Sequence, residues 1–198
     1  MKRMILATGN PGKAREFASL LAPLAIPVSP MTEAGYTGPI EETGATFEEN
    51  ARLKAQAVFQ ATGWPSLADD SGLEVDALAG APGIYTARYG GEGFTDAERT
   101  QLLLEALSDV PAGRRTARFV CVLCCVLEGG RLLSVRGECA GEIALTPKGT
   151  GGFGYDPVFL LPDGRTMAEL SAAEKGRYSH RARAVEALLP LLRPLIGR

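Results

Sequence analysis

Asp69 and Asp70 stand side by side in Ser66-Leu67-Ala68-Asp69-Asp70-Ser71-Gly72-Leu73, where a short apolar run leads into two carboxylates, a hydroxyl and a glycine. Two carboxylates at the end of a strand make a hard oxygen site of the kind Mg²⁺ prefers. Successive strand residues point to opposite faces, so at most one of the two would face a cleft squarely. A solvated acidic turn has the same composition, and the motif alone is compatible with both readings.

Other groups bear on it. Thr8-Gly9-Asn10-Pro11-Gly12-Lys13 joins an apolar run to a helix. Asn10 can cap that helix and Pro11 suits its first position. Free backbone N–H groups beside Lys13 would then bind phosphate, although an ordinary strand-to-helix turn fits as well. It is not a Walker A loop: the spacing from Gly9 to Gly12-Lys13 is too short and no Ser or Thr follows the lysine. Glu41-Glu42-Thr43-Gly44 precedes a helix on which Asn50 and Lys54 share a face. That pattern is either a solvated acidic loop or a second metal carboxylate with a second phosphate-binding lysine.

Glycines flank Phe153 in Gly149-Thr150-Gly151-Gly152-Phe153-Gly154-Tyr155-Asp156-Pro157 and leave a ring face for a nucleobase, with core packing as the alternative. Lys175-Gly176-Arg177-Tyr178-Ser179-His180-Arg181 gathers hydrogen-bond donors at the start of the last helix, where Ser179 is a natural N-cap. Ordinary surface charges around a cap would look the same. Tied to a base pocket, His180 and Arg181 would select keto purines, because a buried donor facing adenine's amino group is left unpaired.

The elements that position these groups alternate. Met4 to Ala7 reads as a buried strand, and Phe17, Leu20, Leu21 and Leu24 recur at helical spacing until Pro23, Pro27 and Pro30 break the pattern. Thr46-Phe47-Glu48-Glu49 has capping-box form and opens a helix with Phe47, Ala51, Ala55, Val58 and Phe59 as apolar positions, ending near Gly63-Trp64-Pro65. Leu67 to Asp69 is a strand. Thr95-Asp96-Ala97-Glu98 caps a helix carrying Leu102, Leu103 and Leu107. Strands over Ala117 to Leu127 and Arg131 to Cys139 form a hairpin through Glu128-Gly129-Gly130. Pro157 to Leu161 is a further strand, and a helix from about Ser179 to Arg193 turns Val185, Leu188, Leu189 and Leu192 inward. Alternating helices and strands with one hairpin predict an α/β fold with a mixed sheet.

Composition bounds the function. At 198 residues, 45% hydrophobic and 22% charged, the chain can bury a sizeable core as one domain over residues 1–198. A formal net charge of −2 argues against nucleic acid polymers and anionic membranes as partners, but not against a small anionic substrate. The apolar run before Thr8 is too short for a signal peptide and no segment is long enough to span a bilayer, so a soluble, cytoplasmic protein is expected. Cys121, Cys124 and Cys125 lie in one apolar strand, with Cys121 and Cys124 on opposite faces. Cys139 adds no ligand pair, so the four cysteines are expected to be core thiols in a reducing compartment.

In this order the motifs resemble the inosine/xanthosine triphosphate pyrophosphatase family, the Ham1-like house-cleaning enzymes. The resemblance covers essentially the whole chain, with no departure at a motif position. It also rests on Gly80-Ala81-Pro82-Gly83-Ile84-Tyr85-Thr86-Ala87-Arg88-Tyr89. It implies an elongated, two-lobed α/β fold with a long mixed sheet flanked by helices, the nucleotide in the cleft between the lobes, a homodimer and a Mg²⁺ requirement. The implied activity is hydrolysis of ITP, dITP, XTP and dXTP to the nucleoside monophosphate and pyrophosphate, which keeps these bases out of DNA and RNA. On matching positions, Thr8, Gly9, Asn10, Pro11, Gly12 and Lys13 bind the triphosphate with Asn50 and Lys54, and Asp70 is the catalytic carboxylate with Ser71 beside the substrate. Glu42 and Asp70 hold the metal, with Glu41 and Asp69 as second choices. Phe153, Gly154, Tyr155, Asp156, Lys175, His180 and Arg181 form the base and sugar pocket. Two other readings stand beside it: a Maf-like pyrophosphatase of modified pyrimidine nucleotides, and a nucleotide-binding module without catalysis. Two acidic pairs beside a triphosphate argue against the second, because they repel it unless a metal intervenes.

Overall fold

The first apolar run forms β1 (Met4–Leu6), which pairs in parallel with β2 (Val28–Pro30) on one side and with β3 (Ser66–Val75) on the other. With β4 (Thr116–Val126), β5 (Leu132–Ile143) and β6 (Phe159–Leu160), they make a six-stranded sheet in the order β2-β1-β3-β4-β5-β6 in the computed structural model, which describes residues 1–196. β5 and β6 are antiparallel, so the sheet is mixed. Helices α1 (Pro11–Leu21), α2 (Phe47–Thr62), α3 (Asp96–Ala106), α4 (Ala172–Tyr178) and α5 (His180–Leu192) complete the α/β class expected from the sequence.

Some boundaries differ from the expectation. β3 does not stop at Asp69 but continues to Val75, so Asp69-Asp70-Ser71-Gly72 is strand backbone and not a turn. β2 forms where prolines were expected to leave only broken chain. It is an edge strand, the place in a sheet where a proline costs no ladder bond. The short α4 precedes the last helix and carries Lys175, which the sequence reading grouped with the start of that last helix.

The chain packs into two compact units. The first comprises Met1–Asp70, Cys121–Gly137 and the segment beginning at Arg181, and the second comprises Ser71–Val120 and Glu138–His180. In the first, α1 (Phe17, Leu21) and α5 (Val185, Leu188, Leu192) bury their apolar stripes against Leu67, Cys121, Leu123 and Cys125. The opposite side of β3 meets α2, where the Ser66 hydroxyl donates to the Ala55 carbonyl at 2.6 Å. Burial pushes the Cys124 thiol up to about 11 and the Cys125 thiol up to about 12. All four cysteines are buried thiols outside any disulfide, as expected of core thiols.

In the second unit, Leu103 of α3 and Leu107 at its C-cap pack with Leu73, Val75, Phe119 and Phe159. The carbonyls left over beyond α3 are collected by one buried guanidinium. Arg115 donates to Leu107 O and Val110 O at 2.8 Å each, and to Ala144 O at 3.4 Å. Replacing it strands those acceptors, so Arg115→Met should cost about 3 kcal/mol in urea denaturation. Arg115→Lys should recover little, because one ammonium cannot reproduce the fork.

Candidate active site

Helix α2 buries Phe47, Asn50, Ala51, Lys54, Ala55 and Val58, one stripe at helical spacing. Two of its members are polar. Thr46 caps the helix by accepting from Glu49 N–H at 3.1 Å, while the Glu49 carboxylate reaches back to Ala45 N–H at 2.7 Å. With the start fixed in this way, Asn50 and Lys54 fall one turn apart on the face turned to β3.

The strand meets them with its two aspartates, both buried. Lys54 Nζ lies 2.9 Å from Asp70 Oδ1 and 2.9 Å from Glu42 Oε1. Asn50 Nδ2 donates to the other Asp70 oxygen at 3.4 Å, and Asn50 Oδ1 accepts from Gly44 N–H at 2.8 Å. Asp69 is taken by a different helix: Lys13 Nζ of α1 is 2.7 Å from its Oδ2. The alternation expected of a strand thus assigns each aspartate its own lysine.

The neighbours titrate in opposite directions. Burial by itself would raise the Asp69 pKa, but Lys13, Arg181 and Lys54 overrule it and bring it from 3.8 to about 2. For Asp70 burial outweighs the attraction of Lys54 and Lys13 and the pKa rises, with the Glu42 charge also pushing it up. Lys54 is raised: burial opposes its charge, but Asp69, Asp70 and Glu42 outweigh it. Asp69 is therefore a fixed anion, and Asp70 is the carboxylate more ready to accept a proton.

The start of α1 corrects one expectation. Asn10 caps it as predicted, with Oδ1 accepting from Gly12 N–H at 2.8 Å and Lys13 N–H at 3.1 Å, and Thr8 Oγ1 accepts from Asn10 N–H at 3.2 Å. Pro11 has no N–H, and Ala14 N–H bonds Asn10 O. The first-turn donors are thus engaged by the cap itself and are not free. What α1 offers an anion is its dipole and Lys13. Glu16, on the same helical face as Lys13, pairs with Arg181 at 3.1 Å. Sequence reasoning did not single out Glu16, and a pair 165 positions apart has no local signal.

The second unit brings together another part of the expected set. The Asp156 carboxylate, almost fully buried, accepts from Lys175 Nζ at 2.6 Å and from Phe153 N–H at 2.9 Å. Lys175 Nζ in turn sits 4.8 Å from the centre of the Phe153 ring. A Cβ on Gly152, which has φ +76°, would land on the Asp156 carboxylate, so that turn requires glycine. Gly154 N–H donates to Asp96 at 2.8 Å and the Tyr155 hydroxyl to Thr86 O at 3.2 Å. Phe153 is only half-buried and lies outside the core, beside a cavity of about 340 Å³ lined also by Asp96, Thr100, Gln101 and Pro157. His180 stacks on Phe119, centroids 4.9 Å apart, a partner the sequence did not indicate. Ser71 is half-buried in β3, directly after Asp70. Arg181 belongs to the first unit, with Glu16 and Asp69.

Among the described residues, no group of three or more His, Cys, Asp or Glu side chains is disposed to hold a metal ion. Glu42 and Asp70 nevertheless bring two hard oxygen donors onto one cationic group, whereas Glu41 is exposed. That set fits Mg²⁺, which takes one or two carboxylates and completes its shell with water and substrate phosphate.

A model of the Ham1 family matches residues 4–191 of the chain. The dITP/XTP pyrophosphatase of Escherichia coli (strain K12) is 50% identical over 196 residues, covering 98% of this chain and 99% of the relative. That of Bacillus licheniformis is 49% identical over 193 residues, covering 97% and 98%. The solved structure of a HAM1 protein from Coxiella burnetii superposes with a TM-score of 0.89 at 45% identity, covering 98% of this chain and 100% of that one.

The low pKa of Asp69 makes stability depend on pH. Folding favours its ionised form, so the stabilisation is complete above about pH 4 and fades as the pH falls toward about 2. Its size is on the order of 2 kcal/mol. Asp69→Asn should therefore be less stable than wild type near neutrality by at least that amount, and the gap should narrow in urea denaturation near pH 3.

Proposed function

The chain belongs to the Ham1 family, and on that premise we propose that it hydrolyses non-standard purine nucleoside triphosphates (dITP, ITP, XTP and dXTP) to the monophosphate and pyrophosphate. The relatives do not favour the Maf-like or the non-catalytic reading. The observation that carries the assignment in structural terms is the pairing of buried Lys54 and half-buried Lys13 with adjacent aspartates on β3, with Glu42 converging on Lys54.

Phosphate oxygens would take over the contacts that Lys13 and Lys54 make with carboxylates, and the α1 dipole would add to the positive field. Asp70 would orient the attacking water toward the α-phosphorus and accept its proton. Lys13 and Lys54 would stabilise the charge that develops on departing pyrophosphate. Glu42 and Asp70 would hold Mg²⁺, which supplies charge neutralisation on the phosphates when bound. Asp69 positions Lys13 before the substrate arrives and takes no part in the proton transfer.

In the second unit, Phe153 would stack on the base, and the Lys175 ammonium, fixed by Asp156, would donate to a keto oxygen. The same donor facing adenine's amino group finds no acceptor, which favours keto purines. A keto group alone does not separate inosine from guanine. We further propose that the enzyme is a cytoplasmic homodimer, as the family resemblance implies. No helix among the described residues is long and apolar enough to cross a membrane.

Pyrophosphate release from dITP, XTP, dGTP, dATP and dTTP, with Mg²⁺ and with a chelator, tests the assignment. Metal-dependent turnover concentrated on dITP and XTP is expected, and turnover confined to dTTP overturns it. Asp70→Asn should abolish release while circular dichroism stays that of a folded protein; near-normal activity refutes its role. Phe153→Ala should lose about 1–3 kcal/mol of base stacking, seen as a KM for dITP raised roughly tenfold. Lys175→Met should narrow the preference for dITP over dATP.

A further inference from the structure

We infer that Asn50 is a positioning residue that fixes Glu42 and Asp70 relative to each other, and that it does so through the backbone of Gly44. The inference rests on the assignment of those carboxylates to the metal. Asn50 is fully buried on a stripe of α2 whose other members, Lys54 apart, are apolar. An amide in that setting is costly unless its oxygen and nitrogen are both satisfied. Here each end is used, and each leads to one of the two carboxylates.

The oxygen end accepts from Gly44 N–H at 2.8 Å, and Gly44 lies two residues after Glu42 in the same loop. Because Gly44 offers a donor, the amide can face it only with its oxygen, which turns Nδ2 toward Asp70 Oδ2 at 3.4 Å. Lys54 holds the other Asp70 oxygen, so the carboxylate plane is fixed from both sides by residues one helical turn apart. The loop has no slack at this point. A Cβ on Gly44 would stand 2.6 Å from Glu49 Cβ, 2.7 Å from Asn50 Oδ1 and 3.0 Å from Asn50 N.

Lys54 and Asn50 thus divide the work. The ammonium balances charge, whereas the neutral amide sets where the two oxygen donors stand. Aspartate at position 50 would keep the acceptor for Gly44 but lose the donor to Asp70, serine is too short to reach both partners, and leucine offers neither group. This places Asn50 behind the carboxylates and makes it an unsuitable direct contact for phosphate.

The test uses the full chain and Mn²⁺ alone, with binding read from loss of the free-ion electron paramagnetic resonance signal. Asn50→Ala and Gly44→Ala should each weaken Mn²⁺ binding roughly 10–100-fold. The Mg²⁺ concentration for half-maximal dITP turnover should rise in step, whereas KM for dITP at saturating Mg²⁺ should stay within about twofold of wild type. A residue that merely stabilised the fold would lower the melting temperature and leave the metal midpoint where it was. Gly44→Ala leaves the buried amide in place, so it decides the matter if Asn50→Ala does not fold. Wild-type Mn²⁺ affinity in a folded variant, alongside lost binding in Asp70→Asn, overturns the inference and leaves the metal assignment intact. A wild-type protein that neither binds Mn²⁺ nor releases pyrophosphate overturns both.

Discussion

A carboxylate withdrawn from water loses several kcal/mol of solvation unless an opposite charge meets it, and β3 withdraws two in succession. That requirement governs the first unit. Because a strand alternates, one lysine could not serve both aspartates with good geometry, and each is answered from a separate helix. Lys13 can meet Asp69 only if α1 begins where it does, which the Asn10 cap and Pro11 enforce. Lys54 can meet Asp70 only if α2 keeps the register set at Thr46. The helix caps, worth about 1 kcal/mol each in isolation, therefore matter more for placing charge than for helix stability.

The second unit repeats the device with different cargo. Asp156 is buried much as Asp69 is, and it too holds a lysine, but the ammonium of Lys175 is aimed at the face of an aromatic ring. A buried acid fixes a lysine in both places, and the exposed neighbourhood of that lysine is where chemistry is proposed. The difference lies in what shares the cation. Lys13 answers a single buried carboxylate, whereas Lys54 is divided between Glu42 and Asp70; burial and the Glu42 charge raise Asp70, while Lys13, Arg181 and Lys54 lower Asp69.

Local signals carried much of this into the sequence. The Asn10 and Thr95 caps, the buried strand around Cys121, the α2 stripe and the α/β class all depend on residues within a turn or a strand of one another. Asp69-Asp70-Ser71-Gly72 misled because its composition is that of a turn, while its conformation is set by strand neighbours that a local window does not contain. β2 is too short, and too rich in proline, to announce itself. α4 spans 7 residues and contains Gly176, so its periodicity never accumulates. The pairings of Arg181 with Glu16 and of His180 with Phe119 join distant segments, and no spacing rule reaches them. Asn50 and Lys54 were legible as one helical face, but not what each would hold.

The ion pairs along β3 also bear on how this protein comes to be folded. In small zinc domains the free energy of metal binding is the free energy of folding, and the chain is unstructured until the ion arrives. Here the counter-charges for Asp69, Asp70 and Glu42 are supplied by Lys13 and Lys54 of the same chain, over a core built from Phe17, Leu21, Leu67 and Leu188. The proposed Mg²⁺ would therefore enter by exchange with counter-charges that the chain already carries. Were the proposed Mg²⁺ scarce, these lysines would still hold Asp69, Asp70 and Glu42 in place.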